Sequence, residues 1–238
     1  MASYIGKPFS FKNLVVVGVV VRLLLLPFLG HPFDVYIWHL LCSDIFNGLN
    51  PYEALPPANM FHLFYPPMWL YTMLPFFSLY LLLTRLFTVS PITVPLLFAV
   101  EISPWPVYVF PDQMFTFIIK LPLVIADVLE AFLLRKIIYT YTEKLNLANH
   151  AAALWLLNPY VIWTSSSYGM FDVLPAFFGT LALWYLVKNR VWVSAIFLGV
   201  AVGYKLYPLM VLPVIIAYLA QRMNHWIERC LEYIAIVS

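Results

Sequence analysis

Apolar positions dominate this chain, and the polar positions that interrupt them fall in clusters. Runs bounded by charge or by Pro and Gly predict helices over residues 12–30, 67–87, 91–111, 113–134, 148–166 and 171–187, then two shorter ones over 191–204 and 206–220. A helical crossing of a bilayer needs about 20 apolar residues, a length the first six runs approach. The run at 91–111 carries Glu101 and five prolines (Pro91, Pro95, Pro104, Pro106 and Pro111), so it does not read as one regular helix. The last pair reads as a broken hairpin reaching partway across. The expected fold is all-α: one polytopic membrane bundle of about eight spans, with a single module over 1–238.

Residues 31–66 form the loop between the first two runs, and a different pattern appears there. Tyr36, His39, Ser43 and Asn47 recur at helical spacing among Val35, Ile37, Trp38, Leu41, Cys42, Ile45 and Phe46. That is an amphipathic helix suited to lying in the membrane interface. Gly48 ends it and Asn50-Pro51 turns the chain. Asp34 stands where the helix should start, so an N-cap role is open to it. A capped carboxylate can still present an oxygen to a substrate.

Composition sharpens the class. The chain has 238 residues, 63% hydrophobic and 10% charged, with a mean hydropathy of +0.88. A soluble domain carries far more polar surface. The net charge of +2 gives no ground for nucleic-acid binding. Cys42 and Cys230 have neither metal nor redox spacing, and no disulfide framework is expected. Lys7 and Lys12 precede the first apolar run as in a secretory signal, but Arg22 interrupts it and no small-residue cleavage site follows, so it reads as a retained span. The closing LEYIAIVS resembles the opening of a further span, which suggests a C-terminal truncation or a small family member.

Charge sets the orientation. In alternating topology Lys7, Lys12, Arg85, Arg135, Lys136, Lys144, Lys188, Arg190, Arg222 and Arg229, ten of the thirteen basic residues, fall on one face. The positive-inside rule makes that face cytosolic. Asp34, Asp44, Glu53, Asp112 and Asp172 gather on the other. Arg22, Lys120, Asp127, Glu130 and Lys205 lie in or near apolar runs. Each costs about 2.5–3.5 kcal/mol at the bilayer centre on insertion scales, so partners or a wet cavity are expected for them. Lys120 and Asp127 are seven residues apart and share a helix face, and Asp127 could pair with Arg22. Lys205, in GYKLYPL between the two short runs, suits a lipid phosphate at the outer interface, though a snorkelling lysine has the same signature. Tyr65, in FYPPMW at the start of the second run, fits an aromatic belt. His31 and His39 flank Asp34, but this spacing matches no strong metal motif. No cofactor is otherwise indicated, and a divalent metal stays open.

DVYIWHLLCSDIFNGLNPYE, YPP, KLPLVIADVLEAFLLRKI, LWLLNPYVIWTSSSYGMFDVLPAFFGTLALWYLVKNR and LGVAVGYKLYPLMVLP follow one another along the chain. In that order they resemble the GT-C glycosyltransferases that use polyprenyl-phosphate sugars. Within that family the likeness is to the catalytic subunits of GPI mannosyltransferase I and their prokaryotic relatives. It covers roughly residues 12–215, and its most specific parts are 156–172 and YKLYP at 204–208.

The resemblance implies an integral-membrane hexosyltransferase with an extracytoplasmic site. It would move a sugar, mannose by the likeness, from a polyprenyl-phosphate donor to an acceptor hydroxyl with inversion. Asp34 takes the place of the catalytic base, while Lys205 and Tyr207 take the donor phosphate. Tyr65, Asp172, Tyr36 and His39 line the substrate. Asp172 also reads as an N-cap for the helix that follows. The partners implied are the donor, a glycan or glycolipid acceptor and the bilayer. Family members carry Asp-x-Asp where this chain reads Asp34-Val35-Tyr36, which leaves metal dependence and acceptor open. YGMFD at 168–172 is closer to the prokaryotic members and favours a prokaryotic cell membrane, with the endoplasmic reticulum as the alternative. The rival readings are a transporter or flippase for a lipid-linked or small solute, and a non-catalytic subunit or fragment.

The orientation is open to direct test. Cysteines introduced at Asn50 and Asn189 are expected to react with a membrane-impermeant maleimide from opposite sides of sealed vesicles. Labelling of both from one side contradicts the topology.

Overall fold

A computed structural model of the chain describes residues 10–52, 65–86, 113–222 and 225–237, and every regular element among them is helical. The expected helix over 91–111, with Glu101, and the acids Glu53 and Asp112 lie outside the described residues. Helix α1 spans Phe11–Leu25, opened by Ser10, whose hydroxyl accepts the Asn13 N–H at 3.3 Å. Helix α2 spans Pro32–Phe46, and Gly48 closes it at φ 77°. Helix α3 spans Met68–Leu86, α4 Gln113–Thr142, α5 Leu145–Leu156 and the single turn α6 Pro159–Val161. A π-helical turn, Ile162–Tyr168, follows and ends at Gly169 in the left-handed region, φ 87°. Helices α7 (Val173–Val187) and α8 (Val191–Tyr204), a 3-10 turn Tyr207–Val211, α9 (Leu212–Arg222) and α10 (Trp226–Val237) complete the chain.

The all-helical class agrees with the sequence, whereas the expected number of spans is not reproduced. Among the described residues one helix, α3, is long and apolar enough by length and composition to cross a membrane. Helices α7, α8 and the 207–222 segment are apolar but shorter. The differences have local causes. The run at 148–166 breaks at Asn158-Pro159: Asn158 Oδ1 accepts the Tyr160 N–H at 2.9 Å, and Pro159 opens a new turn. The run at 206–220 divides into a 3-10 turn and α9. Helix α4 has 30 residues, but Lys120, Asp127 and Glu130 interrupt its apolar length.

The chain divides into two compact units, Met1–Tyr36 with Phe77–Met170, and Ile37–Phe76 with Phe171–Ser238. In the first, α1, α4 and α5 pack around Leu14, Ala131, Ala152 and Leu156. Arg22, fully buried, holds this packing. Its Nε donates to Asp127 Oδ2 at 2.8 Å, and Nη1 donates to the carbonyls of Leu156 at 2.7 Å and Gly18 at 3.0 Å. The Ser165 hydroxyl donates to the same carboxylate oxygen at 2.5 Å, which joins the π-helical turn to α4. Lys120, also fully buried, donates to the carbonyls of Leu29 at 2.6 Å and Ser166 at 2.8 Å. The pairing of Arg22 with Asp127 expected from the sequence is therefore present. The shared face of Lys120 and Asp127 serves two different carbonyl and carboxylate contacts.

In the second unit α7, α8, α9 and α10 enclose Ala182, Leu186, Ala195, Leu198, Ile215, Leu219 and Tyr233. Asn189, at φ 58°, turns α7 into α8. The Ser194 and Tyr233 hydroxyls share a hydrogen bond of 2.8 Å between α8 and α10. Cys42 and Cys230 are free thiols, and both are buried.

Removing one member of a buried ion pair strands the other, which typically costs about 3–5 kcal/mol, whereas replacing both with apolar residues is often neutral. Arg22→Met is therefore expected to lower the thermal midpoint of the detergent-purified protein sharply. Arg22→Met combined with Asp127→Leu should recover most of the loss. Equal damage from single and double variants would contradict this account.

Candidate functional site

In the second unit the end of α8 builds a charged cluster. Gly203 lies so close to α3 that a Cβ there would stand 2.5 Å from Met68 Cγ. The Tyr204 hydroxyl shares a 2.7 Å hydrogen bond with Thr72 of α3. The backbone then leaves the helix, with Lys205 extended at φ −152°, ψ 151°, and re-enters a 3-10 turn at Tyr207 and Pro208. Lys205 Nζ stands 2.7 Å from Asp172 Oδ1, 4.5 Å from the Phe171 ring centroid and 5.4 Å from that of Tyr65. The lysine side chain is 16% exposed and the aspartate side chain 45%. The Tyr207 hydroxyl donates to the Asp172 carbonyl at 3.3 Å. Behind the charges, Phe171 stacks on Trp69 (4.8 Å, 8°) and meets the Tyr65 ring edge to face at 5.0 Å. Trp38 packs on Trp69 at 5.1 Å.

Asp172 occupies the N-cap position of α7 but makes no side-chain cap bond. The third helical residue is Pro175, which has no N–H to offer, and the Leu174 N–H goes to the Phe171 carbonyl at 3.0 Å. The expected capping role is thus corrected: the carboxylate turns to Lys205. Of the residues singled out from the sequence, this unit gathers Lys205, Tyr207, Asp172 and Tyr65. Reading by motif missed Phe171, Trp69 and Trp38. Their signal was the aromatic in GMFD beside an acid and the tryptophan in YPPMW.

In the first unit Asp34 lies in the first turn of α2, after Pro32. His31 takes the preceding position, and its Nδ1 accepts the Asp34 N–H at 3.3 Å. Asp34 is therefore not the cap the sequence suggested, and its negative charge in the first turn is favoured by the helix dipole. The same Nδ1 is 3.3 Å from Asp34 Oδ2. It can accept the backbone N–H only when unprotonated. Once protonated it donates to the carboxylate instead. His31 is fixed by its backbone N–H, which donates to the Tyr168 carbonyl at 2.9 Å, and by a ring contact of 4.8 Å with Tyr168.

Tyr36 and His39 are half-buried, and at about 100° per residue they lie roughly 140–160° around α2 from Asp34. The sequence grouping of these three does not share one helix face. Asp44, one of the acids assigned to the outer face, is 8% exposed, and burial pushes its carboxyl above the usual carboxylate range. Burial likewise pushes the neighbouring Cys42 thiol up to about 12. Among the described residues no three His, Cys, Asp or Glu side chains gather as metal ligands, so His31, Asp34 and His39 form no trio.

Comparison with known proteins gives two kinds of match. The GPI mannosyltransferase 1 of Candida albicans is 34% identical over 107 residues, 43% of this chain and 26% of that protein. Its namesake in Kluyveromyces lactis is 37% identical over 59 residues, 25% of this chain and 14% of that protein. That of Debaryomyces hansenii is 35% identical over 78 residues, 32% and 19%. The chain thus spans only a minor part of each relative's length. All three are fungal, and they lend no support to the prokaryotic membrane that YGMFD favoured. No solved structure matches the chain. Residues 64–237 match the family described as GPI transamidase subunit PIG-U, and this match takes in both Lys205 and Asp172. Because it covers most of the sequence, the chain belongs to the PIG-U family.

Proposed function

We propose that this protein is a membrane mannosyltransferase of GPI biosynthesis, using a polyprenyl-phosphate mannose donor and a GPI-precursor glycolipid as acceptor. The observation that carries the reading is the position of Asp34. Its carboxylate makes no cap bond, is partly exposed at 27%, and lies 3.3 Å from His31 Nδ1.

In the first unit, Asp34 takes the proton of the acceptor hydroxyl as that oxygen attacks the anomeric carbon, and His31 Nδ1 holds its backbone N–H. General-base help of this kind contributes about 10²–10⁴ in rate. In the second unit, Lys205 holds the donor phosphate, whose negative charge grows as the glycosidic bond breaks. Tyr65 supplies a hydroxyl to phosphate or sugar, Tyr207, whose proton goes to the Asp172 carbonyl, accepts from a sugar hydroxyl, and Asp172 accepts from sugar hydroxyls. Attack opposite the phosphate inverts the anomeric centre. The reaction face is extracytoplasmic, and the fungal relatives favour the endoplasmic reticulum over a prokaryotic membrane.

A second reading is favoured by the family description and by Val35-Tyr36 standing where Asp-x-Asp is expected. In it the chain is a non-catalytic transamidase subunit, and the Lys205 cluster only holds a GPI headgroup. The flippase reading draws on intramembrane charges and broken helices; Arg22, Lys120 and Asp127 are engaged in joining helices, while the breaks at Asn158-Pro159 and at Lys205 remain compatible with it.

Asp34→Asn separates a base from a structural carboxylate. It is expected to leave the thermal midpoint nearly unchanged and to cut mannose transfer by at least ~10²-fold, the lower end of what a base contributes. Glu232→Gln, at an exposed pair with Arg229 on α10, should leave transfer as in the wild type. Transfer by Asp34→Asn at close to the wild-type rate would remove Asp34 from the chemistry.

A further inference from the structure

We propose that Asp172 is an exchange partner for the ligand phosphate at Lys205, and that this exchange selects glycosyl phosphates over phosphates without a sugar. The inference rests on the reading of Lys205 as the phosphate ligand and adds a role for the carboxylate that now faces it.

The ammonium of Lys205 is already occupied, at 2.7 Å, by Asp172 Oδ1. An incoming phosphate must displace that oxygen or approach beside it and meet a like charge. Displacement is easy on three counts. The aspartate side chain is 45% exposed, and an ion pair this open to solvent is weak. No cap bond holds the carboxylate, because Pro175 removes the N–H that would make one. The residue's backbone is held separately by Tyr207, so the carboxylate can change rotamer while the main chain stays in place. Lys205 keeps its position after the exchange, because the Phe171 and Tyr65 rings flank its ammonium at 4.5 and 5.4 Å.

The displaced carboxylate then stands beside a phosphate with no cation of its own. Like charges at that range oppose binding. Hydroxyl donors relieve the opposition, because an ionised acceptor forms strong hydrogen bonds with them. A sugar on the phosphate supplies hydroxyls, and a bare prenyl phosphate has none. The arrangement therefore discriminates by penalising the wrong ligand as well as by holding the right one.

The test is a binding measurement on the purified full chain in nanodiscs, with farnesyl phosphate and farnesyl phosphoryl mannose as probes. The wild type is expected to prefer the mannosylated probe. Asp172→Asn should bind farnesyl phosphate at least about tenfold tighter than the wild type, as loss of one like charge at close range implies, and the preference for the mannosylated probe should shrink. Asp172→Ser should behave the same way, which guards against a folding defect in either variant. Farnesyl phosphate binding no tighter in folded Asp172→Asn and Asp172→Ser than in the wild type would overturn the exchange role. Lys205→Ala locates the failure. If it loses both probes while the Asp172 variants match the wild type, only the exchange role falls. If Lys205→Ala binds both probes as the wild type does, the phosphate reading of Lys205 falls with it.

Discussion

A chain this apolar can bury a charge only where a partner meets it, and the Arg22–Asp127 pair is where that constraint acts most strongly. One guanidinium on α1 reaches a carboxylate on α4 and a carbonyl at the end of α5, and Ser165 brings the π-helical turn to the same carboxylate. Lys120 repeats the device nearby by joining the residue Leu29, just beyond α1, to Ser166. The consequence for function is positional. Leu29 and the π-helical turn flank His31, which bonds to Tyr168, and His31 in turn faces Asp34. The candidate base is thus set by a scaffold of buried charges that take no part in its chemistry.

Much of the architecture was legible because local rules act locally. The runs at 171–187 and 191–204 became α7 and α8 almost residue for residue. The pairing of Arg22 with Asp127 followed from the cost of leaving either charge alone among apolar neighbours. What escaped were breaks whose signals were present but outweighed by hydrophobicity. Asn158-Pro159 is a helix start in its own right, yet it sits inside a continuous apolar run. Asp34 looked like a cap because it precedes the amphipathic stretch, and Pro32, a favourable first helical residue, moved the start three positions earlier. The failure of Asp172 to cap was readable too, since Pro175 stands three residues on. Its pairing with Lys205 was not, because it joins residues 33 apart in sequence.

The family match and the fungal relatives point to one kind of ligand and two kinds of role. Both descriptions name GPI, one as the object of a mannosyltransferase and the other in a transamidase subunit. The role proposed for the Lys205 cluster, holding a phosphate that carries a sugar, is compatible with either description, since it does not require that a bond be broken there. Asp34 is what distinguishes them. A catalytic base needs the Asp34 carboxylate itself, whereas a subunit that only holds its ligand uses it only for its charge in the first turn of α2.

The most direct measurement is incubation of the purified wild-type chain with a panel of polyprenyl-phosphate sugars and a GPI-precursor glycolipid, followed by mass analysis of the glycolipid. The account predicts the gain of one hexose with the mannose donor and none with the others. A glycolipid that binds the protein yet gains no sugar from any donor would contradict it and leave the chain a binding subunit.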